Sequence, residues 1–273
     1  MPGRLLGLAL VAPALAVIAL FFILPLGMSA IGAFRVGDGF GLGNFAKTFD
    51  LYMKDIVFTV VIVSLSTALT GLAAIAIGGY LTLGENPRAV AILRWLYRWP
   101  LFIPFIVVGQ ILRTFLAKNG IMNNAIIGLG LMTPMEAQSF LDWRGIVIAF
   151  VWKQTPFVAL LVAGAMASVN RDTIEAARNL GASRLRILIE ILVPQVAMTI
   201  TVGLILSFVT MMSVLSVPLM INAQSPTMLT ADIAFRVNAY GDYGVANALG
   251  LVSLALASSV AWIYLRQSLK ERA

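Results

Sequence analysis

The sequence predicts an all-α integral membrane protein with six transmembrane helices. Three observations carry that expectation. First, 60% of the 273 residues are hydrophobic and only 11% are charged, with a mean hydropathy of +0.95. A soluble chain covers its surface with roughly 25% charged residues, so lipid must be the main solvent here. Second, six apolar runs each reach the ~20 residues that cross a bilayer. Third, lysine and arginine alternate in density between the connections, as topogenic charges do.

The first run covers 5–31, with no charge between Arg4 and Arg35. Arg4 and the Ala12-Pro13-Ala14 stretch give it the look of a signal peptide. It continues well past the ~7–15 residues of a signal core, so it reads as a retained span. The second run covers 56–83 and is uncharged between Asp55 and Glu85. The third, 95–116, contains Pro100 and Pro104, and the fourth, 145–169, contains Pro156 and Gly164. The fifth, 191–217, contains Pro194 and Gly203, and the sixth covers 244–265. Each proline removes a helical hydrogen bond and bends its helix, which a bundle tolerates where neighbours or water satisfy the freed carbonyls. The stretch 218–226, apolar but broken by Pro218 and Pro226, reads as a short outer excursion. No long linker or clear repeat interrupts 1–273, so a single transmembrane domain is expected.

An even number of spans places both termini on one side. That side would carry Arg4, Arg88, Arg94, Arg98, Arg171, Arg178, Arg184, Arg186, Arg266, Lys270 and Arg272. The other carries Arg35, Lys47, Lys54, Lys118, Arg144 and Arg236. Eleven against six puts the termini, and the 170–190 loop, in the cytoplasm. The net charge of +7 is then topogenic, and with no basic-aromatic module no nucleic-acid partner is expected.

Histidine and cysteine are both absent. Disulfides, thiolate chemistry, most zinc sites and His-based triads are thereby excluded, so no catalytic or metal site is expected. No Asp or Glu lies within a predicted span, although proton-coupled transporters usually carry an intramembrane carboxylate or histidine relay. A secondary transporter is correspondingly the weaker reading. No Gly-x4-Gly-Lys-Ser/Thr loop is present to cradle phosphates.

The 170–190 loop carries the densest local signals. Asp172 followed by Glu175 has the spacing of a capping box, which predicts a helix over 173–180. Gly181 falls where a left-handed C′ residue would stop it. Helical spacing sets Ile174, Ala177, Arg178 and Gly181 along one face and its flank. The small Ala176 and Ala177 let another surface approach the backbone closely. A surface helix packed on its own bundle would explain the cap and the glycine, but less well an alanine pair among four arginines.

Glu175-Ala176-Ala177, three residues, Gly181, nine residues, Ile191, one residue and Val193-Pro194 resemble the signature loop of binding-protein-dependent ABC importer permeases. Val193 stands where that signature has leucine. The resemblance implies the type I importer bundle in a bacterial inner membrane. It also implies a coupling helix seated on a separate cytoplasmic ATPase dimer, which would bind the ATP and magnesium. Glu175 would anchor the contact, the alanines would allow close docking, Gly181 would supply the bend and Pro194 would begin the next helix. A second permease subunit, more readily a different chain, and an extracytoplasmic solute-binding protein are the other implied partners, besides the lipid bilayer.

Gly43-Asn44-Phe45, the Pro100–Pro104 stretch, Gly120-Ile121-Met122-Asn123 and Gly241-Asp242-Tyr243 with Ala246 and Ala248 also resemble this group. The run 99–124, with Arg113-Thr114-Phe115 before Lys118-Asn119-Gly120, is most similar to the spermidine/putrescine branch; sugar and phosphonate branches share much of the pattern. A polyamine is thus the first expectation for the solute. Arg113 lies close enough to its span's outer end to snorkel. Lys153 is deeper, and is expected to pair with Asp142, Asp232 or an acid on a partner, or else to line the path. Gln154, Thr155, Ser207, Thr210 and Ser213 are the other path candidates; interhelical hydrogen bonding is the competing role for each.

Overall fold

The computed structural model describes residues 2–222 and 224–270, with side chains for 10–222 and 224–262. Ala223 and Arg272 lie outside the described residues, as do the side chains of Arg4, Arg266 and Lys270. Five helices are long and apolar enough to cross a membrane, and a sharply bent pair makes a sixth. A single two-stranded hairpin, Arg35–Val36 with Gly39–Phe40, interrupts the helical order among the described residues.

The first span runs through Pro2–Ile18, a widened turn at Ala19–Ile23, and Leu24–Phe34. Residues 10–28 are exposed along their whole length. Among the described side chains its last turns pack, chiefly against the final helix, where the Ser29 hydroxyl donates to Asn247 Oδ1 at 2.9 Å. Asn44 then ties the hairpin to this helix, its amide donating to the carbonyls of Ala33 at 3.0 Å and Arg35 at 2.8 Å.

The second helix, Gly43–Leu83, is 41 residues long and begins 13 residues before the predicted start at 56. Hydropathy misses this extension because Lys47, Asp50, Lys54 and Asp55 interrupt it. The fourth span, Trp143–Ala167, lies against the second over much of its length and is the most buried span in the bundle. Small residues allow the approach: a Cβ on Gly78 would meet Val162 Cγ1 at 3.1 Å, and the fifth span approaches the fourth in the same way, a Cβ on Gly203 meeting Val158 Cγ1 at 3.3 Å. Close backbone approach through small residues is how helices associate where lipid removes the hydrophobic drive.

The third span departs from the expected 95–116. A short helix, Pro87–Leu96, is followed by a tight turn at Trp99–Phe102, and the span itself is Phe105–Gly128. Pro100 and Pro104 cannot donate to a helical ladder, and a proline pushes its predecessor out of the helical region; Ile103 is extended, with φ −91° and ψ 122°. The apolar length is recovered beyond 116 by Ile121–Gly128 after a turn at 117–120.

The fifth span is bent by 76° between Arg184–Gln195 and Ala197–Ser213. Pro194 therefore does not begin the long helix; it sits just ahead of the break at Val196, after a widened turn at Leu188–Leu192. The short helix Ser216–Ile221 packs on the third span, Met220 filling the space above Gly109. The sixth helix runs Tyr243–Lys270.

Among the described residues, two large apolar clusters and a smaller one of Ile56, Leu229, Val245 and Leu249 fill the bundle. Ile62, Val63, Phe150, Met211 and Met228 lie in one large cluster. Val158, Val162, Met166, Ile187 and Leu192 lie in the other, at the end bearing the 170–190 loop.

Candidate coupling and translocation site

The loop forms a helix at Arg171–Asn179. Its N-cap is Asn170, whose Oδ1 accepts from the Asp172 amide at 2.8 Å, and not Asp172 as the capping-box spacing predicts. Both residues suit a cap, and the one that leaves the tight turn after the fourth span takes the position. Gly181 stops the helix as expected, with φ +82°. The Gly181 amide donates to the Arg178 carbonyl at 2.9 Å, and Ala182 to Ala177 at 3.0 Å. This is the paired bonding of a glycine-terminated helix end.

One face of this helix holds it to the bundle, and the opposite face is free. Ile174 is buried, Ala177 is half-buried, and both pack with Ile187 and Leu192. Arg178 Nη2 donates to the Leu83 carbonyl at 3.3 Å, at the end of the second helix. Arg184, at the start of the next short helix, pairs with Glu85. Glu175, Ala176, Asn179, Leu180 and Gly181 are exposed, and Leu180 is 89% exposed. Ile191 is half-buried and Pro194 exposed within the widened turn and its exit. A Cβ on Gly79 would come within 2.7 Å of Leu188 Cδ1, so the second helix and the post-loop segment interlock. The six motif residues thus span one rigid unit: an exposed helix, a glycine stop, and a bent helix beneath it.

The six proposed path residues do not converge. Lys153 Nζ donates to the carbonyls of Pro100 at 2.8 Å and Leu101 at 2.9 Å, and lies 5.5 Å from the centroid of Phe105. Its charge is paired neither with Asp142 nor with Asp232: it supplies the Leu101 carbonyl, which the missing amide of Pro104 leaves short of a donor, and shares the Pro100 carbonyl with the Ile103 amide at 3.3 Å. Asp142 instead pairs with Arg144 at 2.8 Å and caps the fourth span. Gln154 is buried, with Nε2 3.5 Å from the Ser207 carbonyl, and Ser207 is fully buried beside it. Thr155 lines an apolar groove between the second and fourth spans. Thr210 and Ser213 are exposed on the fifth span, bonded to their own helix at 2.7 and 2.8 Å.

Sequence reasoning missed a polar clasp on the far side. Buried Asp55 accepts from the Thr227 amide at 2.7 Å and the Ser225 hydroxyl at 3.2 Å, and Thr59 accepts from the Leu229 amide at 3.0 Å. Asp232, buried nearby, is pushed up to about 7, first by burial and then by the Asp55 charge, against the opposing pull of Arg236. Nothing local in the sequence marks these partners, about 170 residues apart.

Residues 74–270, which include this exposed, glycine-stopped helix, match the family described as binding-protein-dependent transport system inner membrane component. The chain belongs to this family. It is an ABC importer permease, a non-catalytic subunit whose ATP hydrolysis is done by a partner ATPase. The sulfoquinovosyl glycerol transport system permease SmoG of Agrobacterium fabrum is 26% identical, covering 96% of this chain and 90% of that protein. The trehalose/maltose transport system permease MalF of Thermococcus litoralis is 28% identical over 96% of this chain and 92% of that protein. The spermidine/putrescine permease PotB of Escherichia coli is 28% identical over 69% of this chain and 71% of its own length. Among solved structures, a chain of a bacterial alginate ABC transporter, in complex with an alginate pentasaccharide-bound periplasmic protein, superposes with a TM-score of 0.82. It shares 20% identity and covers 98% of this permease and 95% of that chain.

Proposed function

We propose that this permease imports a carbohydrate-class solute and receives the stroke of its ATPase through the Arg171–Asn179 helix. The observation that carries the coupling role is the two-faced setting of that helix. Ile174 and Arg178 fasten it to the second helix and the post-loop segment, while Glu175 and Ala176 stand exposed. A partner pressing on the free face would push Leu83, Glu85 and Leu188 together, and so move the second and fifth spans as one.

In this reading the loop and both termini are cytoplasmic in a bacterial inner membrane, as the arginine distribution supports. ATP and magnesium sit on the ATPase dimer. A second, different permease chain completes the path, and the unburied first span offers it and the lipid an apolar surface. An extracytoplasmic binding protein delivers the solute. Thr210 and Ser213 are the path candidates that face outward from the bundle, where a path between two permeases would run.

The relatives that span nearly the whole chain serve sugar-containing solutes, which supports carbohydrate over polyamine. Uptake by cells expressing the complete transporter tests both points. A labelled disaccharide or glycoside should accumulate and spermidine should not; the reverse would restore the polyamine reading. Glu175→Lys should abolish uptake with insertion retained, and wild-type uptake would remove the coupling role.

A further inference from the structure

At the loop-bearing end, a pocket of about 480 Å³ opens between the second and fourth spans, the Pro87–Leu96 helix and the coupling helix. Four guanidinium groups line it, those of Arg94, Arg98, Arg171 and Arg178, against the single carboxylate of Glu175. Four positive charges less one leave a local excess of three. Among the described residues none of these arginines is ion-paired with a carboxylate. Arg178 is partly engaged by the Leu83 carbonyl, and Arg98 Nε donates to the Tyr97 hydroxyl at 3.2 Å. An anion is the missing complement.

A second cavity meets the first at Tyr97, a buried residue that lines both. This one is a groove of about 510 Å³ between the Pro87–Leu96 helix and the second and fourth spans. Leu69, Leu93, Leu96, Ile148 and Trp152 make its walls apolar. The exposed rings of Trp95 and Trp99, next in sequence to the lining residues Leu96 and Arg98, lie 4.6 Å apart, and such amphipathic aromatics favour the membrane–water interface.

A basic pocket that continues into an apolar groove at a membrane boundary has the chemistry of one class of ligand. We propose that the composite site binds an anionic phospholipid, its phosphate against Arg94 and Arg98 and an acyl chain in the groove beside Trp152. Basic pockets between spans on the cytoplasmic side take anionic headgroups for the same electrostatic reason. Because Glu175 lines the headgroup pocket, a bound lipid would sit directly behind the coupling helix. The proposal needs this end of the bundle to be cytoplasmic but does not depend on which solute is carried.

The test uses the complete transporter reconstituted in phosphatidylcholine vesicles with or without phosphatidylglycerol brominated on its acyl chains. Bromine should quench a tryptophan component that Trp152→Phe removes, and brominated phosphatidylcholine at the same density should not. Arg94→Ala with Arg98→Ala should raise the phosphatidylglycerol needed for that quenching by at least about tenfold. If the double variant does not assemble, Ile148→Trp, which fills the groove and leaves the arginines, should abolish selective retention of phosphatidylglycerol in native mass spectrometry. Equal quenching by the two lipids, or unchanged retention in Ile148→Trp, would overturn the proposal. So would cross-linking of position 152 to the second permease, which would make the groove a subunit contact. Loss of selectivity on adding inorganic phosphate would show a free-anion pocket and would likewise contradict a lipid.

Discussion

Arg178, on the Arg171–Asn179 helix, donates to the carbonyl of Leu83 at 3.3 Å, joining the loop to the last turn of a 41-residue helix. The carbonyls of a last helical turn have no intrahelical donor, so the guanidinium satisfies an orphan group and places a cation where the helix dipole favours one. Two residues on, Glu85 pairs with Arg184. The loop is therefore clamped to one long helix on both sides of Gly181, and displacement of the loop must displace that helix.

The clamp predicts uncoupling when it is cut. Arg178→Ala with Glu85→Ala should lower solute imported per ATP hydrolysed several-fold, because the exposed face can still dock. Each exposed contact is worth only about 1 kcal/mol, so the thermal midpoint should barely move. An unchanged transport-to-hydrolysis ratio would show that the clamp carries no force.

Gly181 is held at φ +82° with open space around its Cα. Sterics against a neighbour are thus not the constraint; backbone conformation is. Gly181→Val should cost about 1–2 kcal/mol and reduce uptake, while Gly181→Asn, which tolerates the left-handed region better, should retain most of it. Equal uptake by the two variants would contradict a conformational role.

Lys153 predicts a stability effect more than a specificity effect. Lys153→Met leaves the Leu101 carbonyl without its donor and the Pro100 carbonyl with the 3.3 Å Ile103 amide alone, at about 1–3 kcal/mol for the group left unsatisfied. The purified transporter should melt several degrees lower while the solute concentration for half-maximal uptake stays put. A changed solute preference with unchanged melting would place Lys153 in the path after all.

Asp232 makes stability depend on pH. Its folded value of about 7 lies above the ordinary carboxyl value of 3.8, so the folded state holds the proton more tightly than the unfolded state. The stabilisation is full below about 3.8, falls as pH rises through about 7, and levels above it. Between those limits the loss is on the order of a few kcal/mol. Asp232→Asn should flatten the fall in melting temperature between mildly acidic and mildly alkaline buffer; an unchanged slope would assign the dependence elsewhere.

Most local signals are legible in the sequence, while non-local ones are not. Gly181 announces its left-handed stop because only a glycine fits there at low cost, and the Glu-Ala-Ala helix appears within two residues of its expected start. The capping-box spacing misplaces the cap because Asn170 and Asp172 both suit the role, and only the geometry after Ala167 chooses between them. Hydropathy places the third span too early because it scores Trp95 to Pro104 as apolar and takes no account of missing amide donors. Lys153 finds its carbonyls only because that break exists, so its partners were hidden behind the same error. The Asp55 clasp depends on pairing across about 170 residues, which no periodicity records.

Site-directed cross-linking tests coupling through the Arg171–Asn179 helix most directly, since the chain contains no cysteine to interfere. Ala176→Cys, on the exposed face, should form a disulfide with a cysteine placed in the helix-accepting groove of the partner ATPase, and Thr173→Cys or Leu180→Cys should cross-link more weakly. The bond should block uptake, and its reduction should restore it. Uptake that continues with Ala176→Cys fully cross-linked elsewhere, or never in reach of the ATPase, would contradict the account.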